Sequence, residues 1–518
     1  MTATSDMDYR RKLKTPEELR QLVGPRPRAQ SVIMCHGVFD LVHPGHIRHL
    51  MYAKSKAQLL VVSLTCDAHV GKANLRPFVP QELRAMNLAA LEVVDYVVID
   101  MNPTPIETIK LLQPDFFAKG YEYTKDGLHP KTRQELEALE SYGGEMISTP
   151  GDVVFSSSAF IEQTPPKISA EKLLVLMESE GIGFDDVRLA VEQFSQIRVH
   201  VIGDTIVDSY TDCSLIGGMA KTPTFSVRYE RQTDFSGGAA VVSKHLRHAG
   251  ASVRFSTVLG DDLRKGFVLD DLSRCGIACE PLIDPTRPTT QKNVFIANGY
   301  RMLKVDTVDN RPLSDKAVEQ LGASIASSDA QAFIFSDFRH GIFSARTIPQ
   351  LIASVPAGRF RAADSQVANR WGNILDFKGF DLITPNEREA RFALGDQDSV
   401  VRPLALALYR QAQCATLILK LGARGILTYR SPRDDDARAF FTMDSFAENV
   451  VDPVGAGDAL LAYATLGLVA TQSSVIASML GIMAAAVACE REGNHPVAPS
   501  DVLKKLDTVE CQLQYQPT

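Results

Sequence analysis

The sequence of 518 residues contains no uncharged apolar run near the roughly 18 residues that a membrane-spanning helix needs. Its opening stretch, MTATSDMDYRRKLKTPEEL, is not followed by the apolar core of a signal peptide. Both absences predict a cytoplasmic protein. A basic excess is also lacking: 55 Lys and Arg stand against 62 Asp and Glu, for a net charge of -7. That balance suits neither a nucleic-acid backbone nor an anionic membrane surface, so neither is expected as a partner. The eight cysteines are scattered, and the close pair Cys275 and Cys279 has no second pair to complete a zinc site. They read as reduced thiols. There is no repeat of fixed period and no low-complexity tract. What is present, 45% hydrophobic and 23% charged residues, is the make-up of a globular protein long enough for two or three domains.

Two α/β segments follow an N-terminal extension over residues 1–30. From Ser31, β-branched runs (31–34, 59–64, 96–99, 115–119, 145–148) alternate with stretches of helical period (47–55, 81–92), the pattern of βαβ units on a parallel sheet. This domain is expected over 31–163. Thr164-Pro165-Pro166-Lys167 cannot continue a helix or a central strand and marks a linker. Two helices are expected next, Ser169 to Glu180 with Ser169 as N-cap and Phe184 to Phe194, completing a linker region over 164–197. A second α/β pattern runs over 198–518, with strands at 199–203, 252–259, 332–335, 380–383 and 416–420 and apolar helices at 240–249 and 456–470. Its size suits a three-layer α/β enzyme.

In the first domain, Cys35-His36-Gly37-Val38-Phe39-Asp40-Leu41-Val42-His43-Pro44-Gly45-His46 joins the first strand to a helix. Open α/β sheets place phosphates at such a turn, because glycines admit the backbone and the helix N-terminus offers free N–H groups. His43 and His46 flank Pro44-Gly45 and could donate hydrogen bonds to a pentacoordinate phosphorus. Two histidines could also hold a metal, but no third ligand lies nearby. Lys72, just before Arg76, is a flexible cation able to reach a triphosphate.

This block resembles the H-x-G-H cytidylyltransferase-like family over about residues 31–161. The resemblance implies a Rossmann-like domain that joins a nucleoside triphosphate to a phosphate monoester and releases pyrophosphate. It assigns catalysis to His43 and His46, and nucleotide or phosphate contacts to Gly37, Phe39, Asp40, Gly45, Arg76, Arg84, Lys119, Gly120 and the hydroxyls of Ser156, Ser157 and Ser158. Lys119-Gly120-Tyr121-Glu122-Tyr123 is similar to the K-G-G-D-Y segment of heptose-phosphate adenylyltransferases, with Tyr121 where glycine is usual. Arg76, Arg84 and Lys119 could equally be solvated surface charge.

In the second domain, Asp452-Pro453-Val454-Gly455-Ala456-Gly457-Asp458 leads into an apolar helix. Bare N–H groups at this helix start make a nest for an anionic transition state, and Asp458 could accept the proton of an incoming hydroxyl. The domain resembles the ribokinase (PfkB) carbohydrate kinases over about residues 198–505. The resemblance implies sugar contacts at Asp204, Asp208, Gly237 and Gly238. It also implies an N-x-x-E motif at Asn386 and Glu389, with Glu389 serving magnesium through water. Further nucleotide and anion-hole positions follow at Lys420, Gly422, Gly425, Gly455, Ala456 and Gly457, with Asp458 as base. Val241 stands where the heptose kinases have asparagine, and the loop 215–223 lacks their S-P-E-A-P run.

The pairing of the two domains resembles the bifunctional heptose-7-phosphate kinase/heptose-1-phosphate nucleotidyltransferases, here with the kinase second where the familiar order puts it first. It implies a magnesium-dependent kinase using ATP on the anomeric hydroxyl of a sugar phosphate, heptose 7-phosphate above all, and a transferase using ATP or CTP. It further implies a homodimer formed through a lid on the kinase. Two alternatives stand beside it: the same activities on another sugar or polyol phosphate, or one degenerate domain that senses sugar or nucleotide. Lys221, Arg228, Arg231, Lys292, Arg301 and Lys304 are candidate ligands for a distal phosphate.

Overall fold

Each apolar run of the first segment becomes a strand: β1 Val32–Gly37, β2 Leu59–Thr65, β3 Tyr96–Asp100, β4 Phe116–Gly120 and β5 Glu145–Thr149. They form one parallel sheet in the order β3-β2-β1-β4-β5. The computed structural model describes residues 9–70, 77–120, 130–149, 169–218, 225–366, 373–433, 436 and 438–513. It divides into one unit of Met1–Val175 with Arg433–Arg438 and a second of Leu176–Pro432 with Ala439–Thr518. Lys72, Arg76, Tyr121 to Tyr123, Ser156 to Ser158, Lys221 and the 164–167 linker lie outside the described residues.

Alternation along β1 supplies two cores at once. Ile33 and Cys35 pack with Leu50, Leu60 and Val62 on one face, while Val32 and Met34 pack with Val61, Ile109 and Phe117 on the other. The second of these cores also takes in Leu19. Within the stretch expected as an extension, the helix Pro16–Val23 packs on this unit: Thr15 and Glu18 form a reciprocal capping box at its start, and it presents Leu19 to the sheet.

The second unit is built on β6 Arg198–Gly203, β9 Ser252–Leu259, β10 Ala278–Ile283, β13 Ala332–Asp337, β14 Phe360–Ser365, β15 Leu382–Ile383, β16 Thr416–Lys420, β17 Ile426–Tyr429 and β18 Phe440–Met443. Their order is β10-β9-β6-β13-β14-β15-β16-β17-β18, parallel up to β16 and antiparallel beyond. Helices cover the sheet, and Ala456–Thr471 and Ser474–Cys489 are apolar nearly all round because they are buried nearly all round.

Four further strands were not expected from the sequence: β7 Thr205–Gly218, β8 Phe225–Gly238, β11 Gln291–Ala297 and β12 Tyr300–Thr307. They make a separate sheet, β12-β11-β7-β8. The first nine residues of β8 are exposed, so its Arg, Glu and Gln side chains meet water and the usual burial signal is missing.

Candidate active sites

In the first unit the strand order reverses between β1 and β4, and ligands of open sheets bind at the carboxyl ends beside such a reversal. His43 lies there as the N-cap of the helix Pro44–Lys54, its Nδ1 accepting the N–H of Gly45 at 3.1 Å. With Nδ1 engaged, the neutral ring carries its proton on Nε2. His46 stacks on His43 with ring centroids 3.9 Å apart and planes 25° from parallel. Burial, with Arg48 adding to it, lowers the pKa of His43. The neutral His43 ring then offers its Nε2–H as a donor.

Several other expected phosphate contacts are engaged within the protein. The Asp40 carboxylate is buried and accepts the N–H groups of Phe78 and Val79 at 3.0 and 2.8 Å, tying the segment after Arg76 to the nucleotide turn. Arg84 is not a surface charge. It is fully buried, donating to the carbonyls of Val38, Thr65 and Val79 and pairing with Asp67. Phe39 has φ 48°, uncommon for a bulky residue, and lays its ring 5.1 Å from His46 as part of the core. Lys119, near the end of β4, is held by Glu135 at 2.8 Å, and Gly120 closes that strand. His36 binds Ser63 and Thr65 through its two ring nitrogens, and burial pushes its pKa down to about 3. It is a neutral structural residue.

The second unit holds a cavity of about 710 Å³ reached by both of its sheets. Gly455 opens the helix Ala456–Thr471 at φ 82°, and a Cβ there would lie 2.5 Å from Asn494 Oδ1. Glycine thus permits the turn that leaves first-turn N–H groups facing the cavity. Asp458 sits in that turn, its pKa raised to about 7 by burial and then by Asp364, with Lys420 opposing. Asn386 and Glu389 form a capping box: Asn386 Oδ1 accepts the Glu389 N–H at 2.9 Å and Glu389 Oε2 accepts the Asn386 N–H at 2.7 Å. Burial raises Glu389 to about 7 as well. Gly422, Gly425, Lys420, Ala456 and Gly457 line the same cavity.

The two expected sugar carboxylates separate in role. Asp208 lines the cavity, and its Oδ2 lies 2.0 Å from where a Cβ on Gly237 would be, so glycine there makes room for the carboxylate. Gly238, which closes β8, also lines the cavity. Asp204 does not face it: its carboxylate accepts N–H groups of Phe338, His340 and Ile342, joining the loops after β6 and β13 where the strand order reverses. Asp364 was not expected. It ends one oxygen on Thr384 Oγ1 at 3.2 Å and pairs with Lys420, and its position near the carboxyl end of β14 is the signal that would have found it. Arg231 pairs with Asp212 and Arg228 with Glu230, both on the exposed part of β8.

The model of the pfkB family carbohydrate kinases matches residues 196–501. The chain belongs to this family. A cytidylyltransferase-like model matches residues 34–170, ahead of the pfkB region. The chain is 38% identical over 143 residues to the bifunctional protein HldE of Syntrophotalea carbinolica, covering 27% of this chain and 28% of that relative. It is 28% identical over 350 residues to HldE of Desulfatibacillum aliphaticivorans, covering 66% and 67%. The chain thus spans under a third of the first relative's length and two thirds of the second's. A crystal structure of phosphofructokinase-2 from Escherichia coli shares the pfkB fold, with TM-score 0.50 and 18% identity over 61% of this chain and all of that one. Among the described residues no helix is long and apolar enough to cross a membrane.

Proposed function

We propose that the chain is a bifunctional transferase that prepares a nucleotide-activated sugar. The pfkB unit phosphorylates the anomeric hydroxyl of a sugar phosphate, heptose 7-phosphate above all, from ATP. The N-terminal unit joins the resulting type of sugar 1-phosphate to ATP or CTP and releases pyrophosphate. The observation that carries the reading is Asp458 in the first turn of a glycine-opened helix, a base and an anion cradle in one element.

In the kinase step the acceptor hydroxyl loses its proton to Asp458 as its oxygen bonds to the γ-phosphorus. The bond from that phosphorus to the β,γ-bridging oxygen breaks, and ADP leaves. N–H groups of the Gly455–Gly457 turn stabilise the charge on the transferring group. Glu389 with Asp364 offers hard carboxylate oxygens in a buried setting, a donor set that fits magnesium bridged by water, although Lys420 already neutralises part of their charge. Magnesium held there would supply charge neutralisation for the triphosphate.

In the nucleotidyl step, carried by the first unit, a phosphate oxygen of the sugar attacks the α-phosphorus directly, since a phosphate monoester is already ionised at neutral pH, and the bond to the α,β-bridging oxygen breaks so that pyrophosphate leaves. Nε2–H of His43 and the stacked His46 stabilise the developing charge. The four-stranded sheet exposes Phe225 and Tyr229 on one edge strand and Tyr300 and Leu303 on the other, and a second copy of the chain covers these apolar side chains. The deciding experiment incubates the protein with ATP, CTP, magnesium and a panel of sugar phosphates and identifies products by mass. Absence of both a new phosphoryl ester and pyrophosphate release would overturn the reading.

A further inference from the structure

The first unit carries a second polar centre, at the end of its sheet away from the histidine turn. Its parallel strands begin there: Val32 opens β1, Asp115 precedes β4, and Tyr142 and Gly143 precede β5. β1 is six residues long, which puts about 20 Å of strand between this end and the turn that holds His43 and His46. In Gly24-Pro25-Arg26-Pro27-Arg28, just ahead of β1, two arginines two residues apart approach Asp115. Arg26 pairs with it at 3.0 Å and donates to the carbonyls of Tyr142 and Gly143. Arg28 is less well served. Its side chain is 4% exposed, and Nη2 donates to the carbonyls of Leu112 and Gln113 at 3.0 and 2.7 Å. Nε lies 3.9 Å from Asp115, beyond hydrogen-bond reach, and both Nε and Nη1 are buried without a hydrogen-bond partner among the described residues. The Tyr142 hydroxyl, which acts electrostatically on Arg28, is buried and unpartnered in the same way.

Three unmet polar atoms in one place cost free energy unless something binds them. Asp115 has little left to give: Oδ1 takes Arg26, and Oδ2 accepts the N–H of Val32 at 2.8 Å. Arg20 donates to the carbonyl of Gly24 and has no carboxylate partner among the described residues. Burial lowers the pKa of Arg28, Asp115 opposes this, and Arg20 and Arg26 add to the lowering. Counting Arg28 itself, three guanidiniums thus share one carboxylate, an excess of two positive charges. We propose that Arg28 and Tyr142, with Arg20 and Arg26 beside them, form a binding site for a phosphate dianion, free or carried by a monoester, separate from the nucleotidyl centre of the same unit. A dianion matches the excess charge, takes charge-assisted hydrogen bonds from the guanidinium and accepts the Tyr142 O–H. Burial raises the Tyr142 pKa, so that hydroxyl keeps its proton. Arg26, 27% exposed, is the face by which the anion enters. No bond of the ligand is made or broken there.

The test follows amide hydrogen exchange of the full chain by mass spectrometry, in inorganic phosphate and in chloride at equal ionic strength. Phosphate should slow exchange in native peptides covering 24–32 and 140–147, and chloride should not. Tyr142→Phe removes a hydroxyl that no described group bonds, so its melting temperature in chloride should equal or exceed that of the native chain. Its half-effect phosphate concentration should rise about tenfold, the scale of one hydrogen bond to a charged group. Arg28→Gln should abolish the protection; if that variant fails to fold, because Nη2 also holds Leu112 and Gln113, Tyr142→Phe alone carries the comparison. A parallel arm uses glucose 6-phosphate, and the lower half-effect concentration tells a monoester from the free anion. No protection of these peptides by either compound, equal protection by chloride, or undiminished protection in Tyr142→Phe overturns the site. Protection confined to peptides around His43 and His46 places phosphate at the nucleotidyl centre alone and overturns it as well.

Discussion

Lys420 Nζ lies 3.0 Å from each carboxylate oxygen of Asp364, one ammonium shared evenly by one acid. Glu389 and Asp458 act on the same lysine electrostatically. Three acids therefore crowd around one cation, and not all of them are comfortably ionised. Burial raises the proton affinity of Asp458 and this arrangement adjusts it, so that substitutions among these charges can move the pH dependence of the kinase rate in opposite directions.

With Asp458 near 7, chiefly through burial, kcat/KM for phosphorylation should climb as pH rises through about 7 and level off above, because the base form is needed. Lys420 lowers the Asp458 pKa and Asp364 raises it. The Lys420→Met variant should shift the midpoint upward and Asp364→Asn downward. Rate profiles from pH 5.5 to 9 check both signs, and shifts in the same direction would contradict this electrostatic account.

Asp458→Asn should reduce phosphorylation by on the order of 10²-fold or more while leaving pyrophosphate release by the other unit intact. It should also raise stability at pH 8. Between the ordinary 3.8 and about 7, the folded chain holds a proton on Asp458 that the unfolded chain has released, so this group's contribution to stability falls as pH rises through that window. Asparagine has no charge to desolvate. Melting curves at pH 8 and pH 5 should show a gain that is larger at pH 8.

For the histidine stack, His46→Ala removes a donor aimed at the reacting phosphate and should cost roughly 10² to 10³ in nucleotidyl transfer, with phosphorylation unchanged. His43→Ala should show a comparable loss plus about 1 kcal/mol of stability, because it also removes the cap on Gly45. Pyrophosphate release and thermal melting separate the two effects.

Arg84→Met should lower stability of the first unit by about 3 kcal/mol, since it leaves three carbonyls around a fully buried position, and the partly exposed Asp67, without their cationic partner. A phosphate-binding arginine would behave differently, raising KM for the nucleotide at unchanged melting temperature. Denaturant titration alongside nucleotide kinetics distinguishes them.

The sequence alone determined the two α/β patterns, the histidine turn after β1 and the Asp452 to Asp458 turn, because these depend on local signals: apolar period, glycine at a helix start, and a polar group next to it. Asn386 and Glu389 were legible for the same reason, being three residues apart at a helix start. Tertiary structure decided everything that hangs on what a side chain meets across the chain. Arg84 reads as a surface or phosphate-binding cation until three carbonyls from separate segments enclose it. Asp204 and Asp208 look equivalent in G-D-T-I-V-D, yet one ties together the loops after β6 and β13 and the other faces the cavity. The sheet of β7, β8, β11 and β12 was not read from the sequence, because its edge strands β8 and β12 are largely exposed and pair through backbone hydrogen bonds, which leave no apolar pattern in their side chains. Lys420 beside Asp364, separated by 56 residues, follows only from the register that brings neighbouring strand ends together.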